Sequence, residues 1–296
     1  MSSGWRDDAL ARATPVVFVL IWSTGFIVAR FGMPYAPPFT FLALRYALSI
    51  LCFLPWIRLV RVRWPDRGWQ WLHLSVTGVL IHALYLGGVW SAVKAGMGSG
   101  LSALIVGLQP VLTAVWVSST GARVNKRQWL GLAFGFAGLV LVVSRKFGQG
   151  ASGDHADLSS LSFAVAALLA ITVGTLYQKR FVAACDVRTA NVVQLGAALL
   201  VTLPLALFER EAVRWNAEFV GAMAWSVLAL TLGGSSLLYL LIQRGAATAV
   251  TSLLYMVPPC TALMAWLLFA EPITFATLLG TALTAFGVSL VVRAAK

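Results

Sequence analysis

The chain has 296 residues, 59% of them hydrophobic and 11% charged, with a formal charge of +12 and a mean hydropathy of +0.85. A water-soluble domain carries about a quarter charged residues, so this chain is too poor in charge to cover a soluble surface. Its basic residues sit in short clusters between apolar runs, which points to membrane topology and anionic headgroups and away from nucleic acid.

In chain order, Met1–Ala13 is polar and mixed in charge, and the apolar run behind it lacks a small-residue cleavage pattern. It is expected to be a first helix that is kept. Crossing a bilayer takes about 20 apolar residues, because the hydrocarbon core is about 30 Å thick. Uncharged runs predict ten such spans, near 14–33, 38–58, 69–92, 95–118, 128–145, 158–179, 188–208, 218–242, 245–269 and 272–293. Arg45 interrupts the second, and Pro37-Pro38 opens it. The loops on the side of the termini carry 15 of the 22 Lys and Arg, and the opposite loops carry 6. Positive loops stay inside, so both termini are expected in the cytoplasm.

Sliding the chain against itself by 149 residues pairs Gly25 with Gly174, Pro55 with Pro204, Gly96 with Gly245 and Pro110 with Pro259. The same offset pairs Trp90 with Tyr239, Gly131 with Gly280 and Gly138 with Gly287. The expectation is an all-α integral membrane protein of two five-helix units, 1–147 and 148–296, in one integrated domain. Five is odd, so the second unit enters from the opposite side. Inverted repeats of this kind are common in secondary transporters, with the site near the midplane on the pseudo-twofold axis.

Trp22-Ser23-Thr24-Gly25-Phe26, Leu44-Arg45-Tyr46, Leu108-Gln109-Pro110 and Ala270-Glu271-Pro272, followed by Gly280 and Gly287, resemble the drug/metabolite transporter superfamily in its EamA-type ten-helix branch. The similarity covers essentially the whole chain. It implies a bacterial inner-membrane exporter of amino acids or related metabolites working by alternating access, with the aromatic and hydrophobic amino-acid exporters the nearest group. Two departures suggest an asymmetric site: Gly121-Ala122-Arg123 stands opposite Ala270-Glu271-Pro272, and Ile171-Thr172 opposite Trp22-Ser23.

No Gly-rich phosphate loop ends in Lys-Ser/Thr, and no Asp or Glu lies inside a span. No cofactor, metal or catalytic group is expected, and a buried carboxylate proton relay is disfavoured. In the third span Ser75, Gly78, His82, Tyr85 and Val89 recur at spacings of three and four, a stripe that faces a cavity or a packed interface. His82 reads either as a neutral imidazole bonded to a neighbour or as a substrate ligand, with Tyr85 one turn on. Trp90 fits the interfacial aromatic belt or the outer end of the path, whereas Trp22 lies too deep for the belt.

In the fourth span Ser99, Ser102, Val106, Gln109 and Thr113 form a second stripe, matched in the ninth by Thr248, Thr251, Tyr255, Pro258 and Ala262. Pro55, Pro110, Pro204 and Pro259 are read as kinks or hinges. Arg45, the one cation well inside a span, lies on the order of 10 Å deep at 1.5 Å per residue. It either bonds neighbouring backbone or meets a substrate carboxylate. The expected path residues are thus Trp22, Arg45, His82, Tyr85, Trp90, Ser102, Gln109, Tyr239, Thr251 and Tyr255. The expected partners are a small-molecule substrate and the lipid bilayer, without nucleic acid; the oligomeric state stays open. Two rival readings are an exporter of cationic drugs or sugar-like metabolites, and a membrane-embedded enzyme. The second lacks a His/Asp cluster or a nucleophile–base pair.

Overall fold

The computed structural model describes residues 3–119, 126–146, 156–234, 237 and 256–294. Among them ten helical spans follow one another: α1 (Ser3–Gly32), α2 (Pro38–Val60), α3 (Gly68–Lys94), α4 in two pieces (Ser99–Val106 and Gln109–Ser119), α5 (Lys126–Lys146), α6 (Leu158–Phe181), α7 (Val187–Phe208), α8 (Ala217–Gly234), α9 (Val257–Phe269) and α10 (Phe275–Ala294). Helices α2, α3, α6, α7 and α8 are long and apolar enough to cross a bilayer; the apolar stretches of the other five are shorter. Helix α1 starts at Ser3, so its polar N-terminal turns continue the span instead of preceding it.

The 149-residue offset returns in the helix starts: Pro38 and Val187, Gly68 and Ala217, Lys126 and Phe275. Different chemistry sets the same register. The Asp186 side chain caps α7 by accepting from Arg188 N, and Asn216 caps α8 by accepting from Phe219 N. Helix α2 instead opens on Pro38, whose missing N–H is no loss in a first turn. Its next two amides are capped from far away: the Glu209 carboxylate accepts from Phe39 N at 3.0 Å and Thr40 N at 2.7 Å.

The repeats exchange their first helices. Helix α1 packs on α8 and α9, and α6 packs on α3 and both pieces of α4. Helices α2 and α7 pair, as do α5 and α10. The last pair straddles the pseudo-twofold axis, because Thr284 Oγ1 donates to Gly135 O at 3.4 Å and these residues are equivalents, 149 apart. On either side a Cβ on Gly138 would strike Gly280 O, and one on Gly287 would strike Gly131 O. These two contacts are images of each other under the offset. Small residues let the backbones approach this closely without a hydrophobic drive between helices in lipid.

Large apolar side chains such as Leu200, Leu207 and Phe208 are exposed, as a lipid-facing surface requires. The two ends differ in charge. One carries the α1–α2, α3–α4, α7–α8 and α9–α10 loops, with Glu209, Glu211 and Glu271; here it is called the glutamate end. The other carries the α2–α3 and α6–α7 loops, with Arg61, Arg63, Arg67 and Arg188 at or beside them, and is called the arginine end.

Candidate central site

Helix α3 widens to π geometry over Val79–Leu86, and α8 does so over Ser226–Gly234. Under the offset these segments coincide to within two residues. A π turn moves the backbone ladder from i−4 to i−5 and is frequent at functional sites. Both widened segments carry polar residues that face α2 or α7. Arg45, 8% exposed on α2, donates its Nε–H to Thr231 Oγ1 at 3.2 Å. Thr231 in turn donates to Ser226 O at 2.9 Å, five residues back. On the other side the His82 ring meets the Gln194 side chain of α7. Since 194 is 45 plus 149 and 231 is 82 plus 149, the two pairs are one contact made twice. One copy carries a guanidinium; the other carries an amide.

The Arg45 guanidinium carbon stands 5.7 Å over the Trp90 ring, a cation–π contact worth more in a desolvated site than on a surface. The Tyr46 hydroxyl donates to His82 O at 2.7 Å, and its ring sits edge-on to the imidazole at 6.0 Å. Tyr85 is nearly buried, and its hydroxyl has no hydrogen-bond partner among the described residues. The same holds for the two terminal nitrogens of Arg45. Three buried polar atoms also go unpaired near it: Ser49 Oγ, one turn beyond Arg45, Trp90 Nε1, and the Oγ of Ser226, whose carbonyl holds Thr231. Ser102 Oγ on α4 is unpaired as well. Buried polar groups are nearly always satisfied. Several unpaired ones around one buried cation mark a place built to receive polar atoms from elsewhere.

Arg45, His82, Tyr85 and Trp90 are therefore brought together. Trp90 is 1% exposed, so it belongs to the core and not to a lipid–water belt. Trp71, stacked on Trp64 at 5.6 Å and donating to Pro65 O, fits that belt. Trp22 lies apart, half-buried on the α1–α8 face with Phe18 at 5.3 Å and Gly234 opposite. Gln109 Nε2 donates to Thr175 Oγ1 at 3.0 Å, tying α4 to α6. Ser102 lies on the first piece of α4, which ends at Val106 and is followed by a break at Gly107-Leu108 just before Pro110. Pro55 and Pro204 lie inside α2 and α7 at matching places, and Pro259 falls in the first turn of α9. Tyr239, Thr251 and Tyr255 lie outside the described residues.

Sequence reasoning passed over Gln194 and Glu209, and it quoted Glu271 without a role. The signal for Gln194 was the offset itself, applied to Arg45. Glu271, 6% exposed, accepts from Ser99 N at 3.0 Å and Gly100 N at 3.4 Å, so it caps α4 across the repeat boundary. A carboxylate at a helix N-terminus is favourable through the exposed amides and the helix dipole.

An inverted pair of helical repeats around a buried polar cluster with widened helices is the architecture of a multi-pass membrane transporter. The EamA-like transporter family model matches residues 14–144 and 158–293, once per repeat, and the chain belongs to that family. It is 26% identical over 279 residues to an uncharacterised transporter of Archaeoglobus fulgidus, covering 92% of this chain and 93% of that one. The uncharacterised inner membrane transporter YedA of Escherichia coli is 26% identical over 125 residues, 42% of this chain and 40% of that one. A probable amino-acid metabolite efflux pump of Salmonella typhimurium is 23% identical over 204 residues, 68% and 63% of the two chains. A solved crystal structure shares the fold at a TM-score of 0.63 and 20% identity, over 94% of this chain and 95% of that one.

Proposed function

We propose that this transporter exports hydrophobic or aromatic amino acids, or metabolites related to them, across a bacterial inner membrane, with both termini in the cytoplasm. The observation that carries the reading is Arg45: a buried guanidinium with two terminal nitrogens unbonded among the described residues, beside Trp90 and Tyr85. An α-carboxylate matches that fork bidentately, where a cationic drug is repelled by it. The aromatic walls suit an apolar side chain, and Gln194 and His82 offer polar contacts opposite. The relative named an amino-acid metabolite efflux pump supports the substrate class, and the one named an inner membrane transporter supports the location. No acid lies at mid-span, so flux is read as facilitated, down the substrate gradient.

The test is uptake of labelled Phe, Trp, Met and Thr into proteoliposomes, with and without a proton gradient. Saturable flux that is independent of that gradient is expected. No flux above empty vesicles overturns the substrate assignment. A C-terminal reporter that is active only in the cytoplasm tests the orientation.

A further inference from the structure

Under the offset, the α1–α2 loop (33–37) corresponds to the α6–α7 loop (182–186), and the α7–α8 loop (209–216) to the α2–α3 loop (60–67). The two loops that meet at one end of the molecule are thus equivalent to the two that meet at the other, but the two pairs are not in equivalent states. At the glutamate end they are tied together. Arg214 donates from its backbone to Tyr35 O at 2.8 Å and from its guanidinium to Pro34 O, and stands 5.5 Å over the Tyr35 ring. Glu209 holds the α2 N-terminus through Phe39 N, Thr40 N and Thr40 Oγ1. Lys94 joins Met33 O at 2.9 Å to Glu211 at 2.7 Å.

At the arginine end the equivalent loops bracket an open groove of about 390 Å³ lined by Arg63, Trp64, Asp66, Cys185 and Asp186. Gln70 spans it, donating to Ala183 O at 3.2 Å. Among the described residues the latch seen at the other end has no chemical counterpart here; Gln243, the equivalent of Lys94, lies outside them. Val60 stands where Glu209 stands in the second half, Pro65 where Arg214 stands, and Val62 where Glu211 stands. A hydrocarbon and a tertiary amide nitrogen without a hydrogen supply neither the charge nor the donor.

We infer that the Glu209–Arg214–Lys94 latch biases the transporter towards the state closed at the glutamate end, making that its resting state and latch release a required step of the cycle. In an inverted repeat, closure at one end and opening at the other are the same motion, so a bond available to one closed state only shifts the balance between the two. Charge-assisted hydrogen bonds are the strong ones among polar contacts, and the shift equals the difference in interaction between the states. The inference uses the transporter class and the two-repeat fold, and it is independent of the substrate proposed above.

The test is spin-label distance measurement in lipid nanodiscs, with Cys52, Cys185 and Cys260 replaced by Ser. One label pair, Phe31→Cys with Ala212→Cys, reports the glutamate end; a second, Leu59→Cys with Ala184→Cys, reports the arginine end. In the parent a short distance should dominate at the first pair. Glu209→Ala and Arg214→Ala should each raise the long-distance population there roughly tenfold, while shortening the distance at the second pair. If one of these variants fails to fold, Lys94→Ala breaks a half-exposed ion pair and should act in the same direction with smaller amplitude. Unchanged distances at both pairs overturn the inference. So does lengthening at the first pair without shortening at the second, which is local fraying of a loop.

Discussion

Arg45 donates its Nε–H to Thr231, and Thr231 is the residue that stands 149 places beyond His82. The cation of the first half is thus held by the counterpart of the first half's own imidazole. Gln194, the counterpart of Arg45, closes the other half of the arrangement against His82. The pseudo-twofold keeps the geometry and discards the charge on one side, which gives the site a direction that its fold does not have.

Thr231→Val removes the acceptor of Arg45 while keeping the volume. A buried donor left unpaired costs about 1–3 kcal/mol, so the unfolding midpoint in detergent should fall, and Thr231→Ser should restore most of it. An unchanged midpoint for the valine variant would mean that the bond contributes nothing.

Arg45→Gln removes the charge and the bidentate fork. Loss of a hydrogen bond to a charged group costs about 1.5–3 kcal/mol, which is roughly a ten- to hundredfold rise in the KM for amino-acid flux. Arg45→Lys should recover only part of this, because a point charge does not reproduce a planar fork. Equal flux in all three proteins would remove Arg45 from substrate recognition.

Gly280→Ala places a methyl 2.6 Å from Gly138 O, against backbone that has no side-chain freedom to yield. Overpacking of this kind costs about 1–3 kcal/mol. Gly196→Ala is the matched control, since nothing lies within 4 Å of its Cβ, and it should stabilise α7 by up to ~1 kcal/mol through helix propensity. Thermal unfolding of the two variants should move in opposite directions.

Asp186, in the α6–α7 loop outside the spans, is held below the ordinary carboxylate range, chiefly by hydrogen bonds from the Arg188 side chain and against the opposing effect of burial. A depressed folded-state value means the stabilisation is present above the unfolded pKa and lost as pH falls through the folded one. Asp186→Ala should therefore cost about 0.5–2 kcal/mol at neutral pH, the worth of an N-cap. That difference should shrink below about pH 4. A penalty that is flat across this range would assign the effect to shape and not to charge.

The number of spans and their register were readable because uncharged runs, prolines and basic clusters report directly on a bilayer, and because glycines and prolines repeat at one offset. Helices α2, α3, α5, α6, α7 and α8 begin within two residues of their expected starts. The π segments were not readable: a widened turn adds a residue to the ladder without leaving a compositional mark. The stripe from Ser75 to Val89 assumed a constant period that α3 does not keep. Trp90 was ambiguous for a related reason, since a tryptophan near a helix end looks alike in a lipid belt and in a core. The partners of Glu209 and Glu271 lie about 170 residues away, and only folding reveals them. Arg45 was visible from the start as a lone cation in an apolar span; what held it was not.

The exchange of first helices sets an order of assembly. Ser23 on α1 reaches Val257 O on α9, 234 residues later in the chain. At roughly 5–20 residues per second of synthesis, α1 emerges some ten seconds or more before the neighbour it will pack on exists. The nascent first half therefore waits in the membrane with α1 docked provisionally or not at all, and the bilayer holds it until α8 and α9 arrive. Each half, made alone, lacks the first helix of the other that packs on it. Two separately translated fragments should regain activity only when both are made in the same cell.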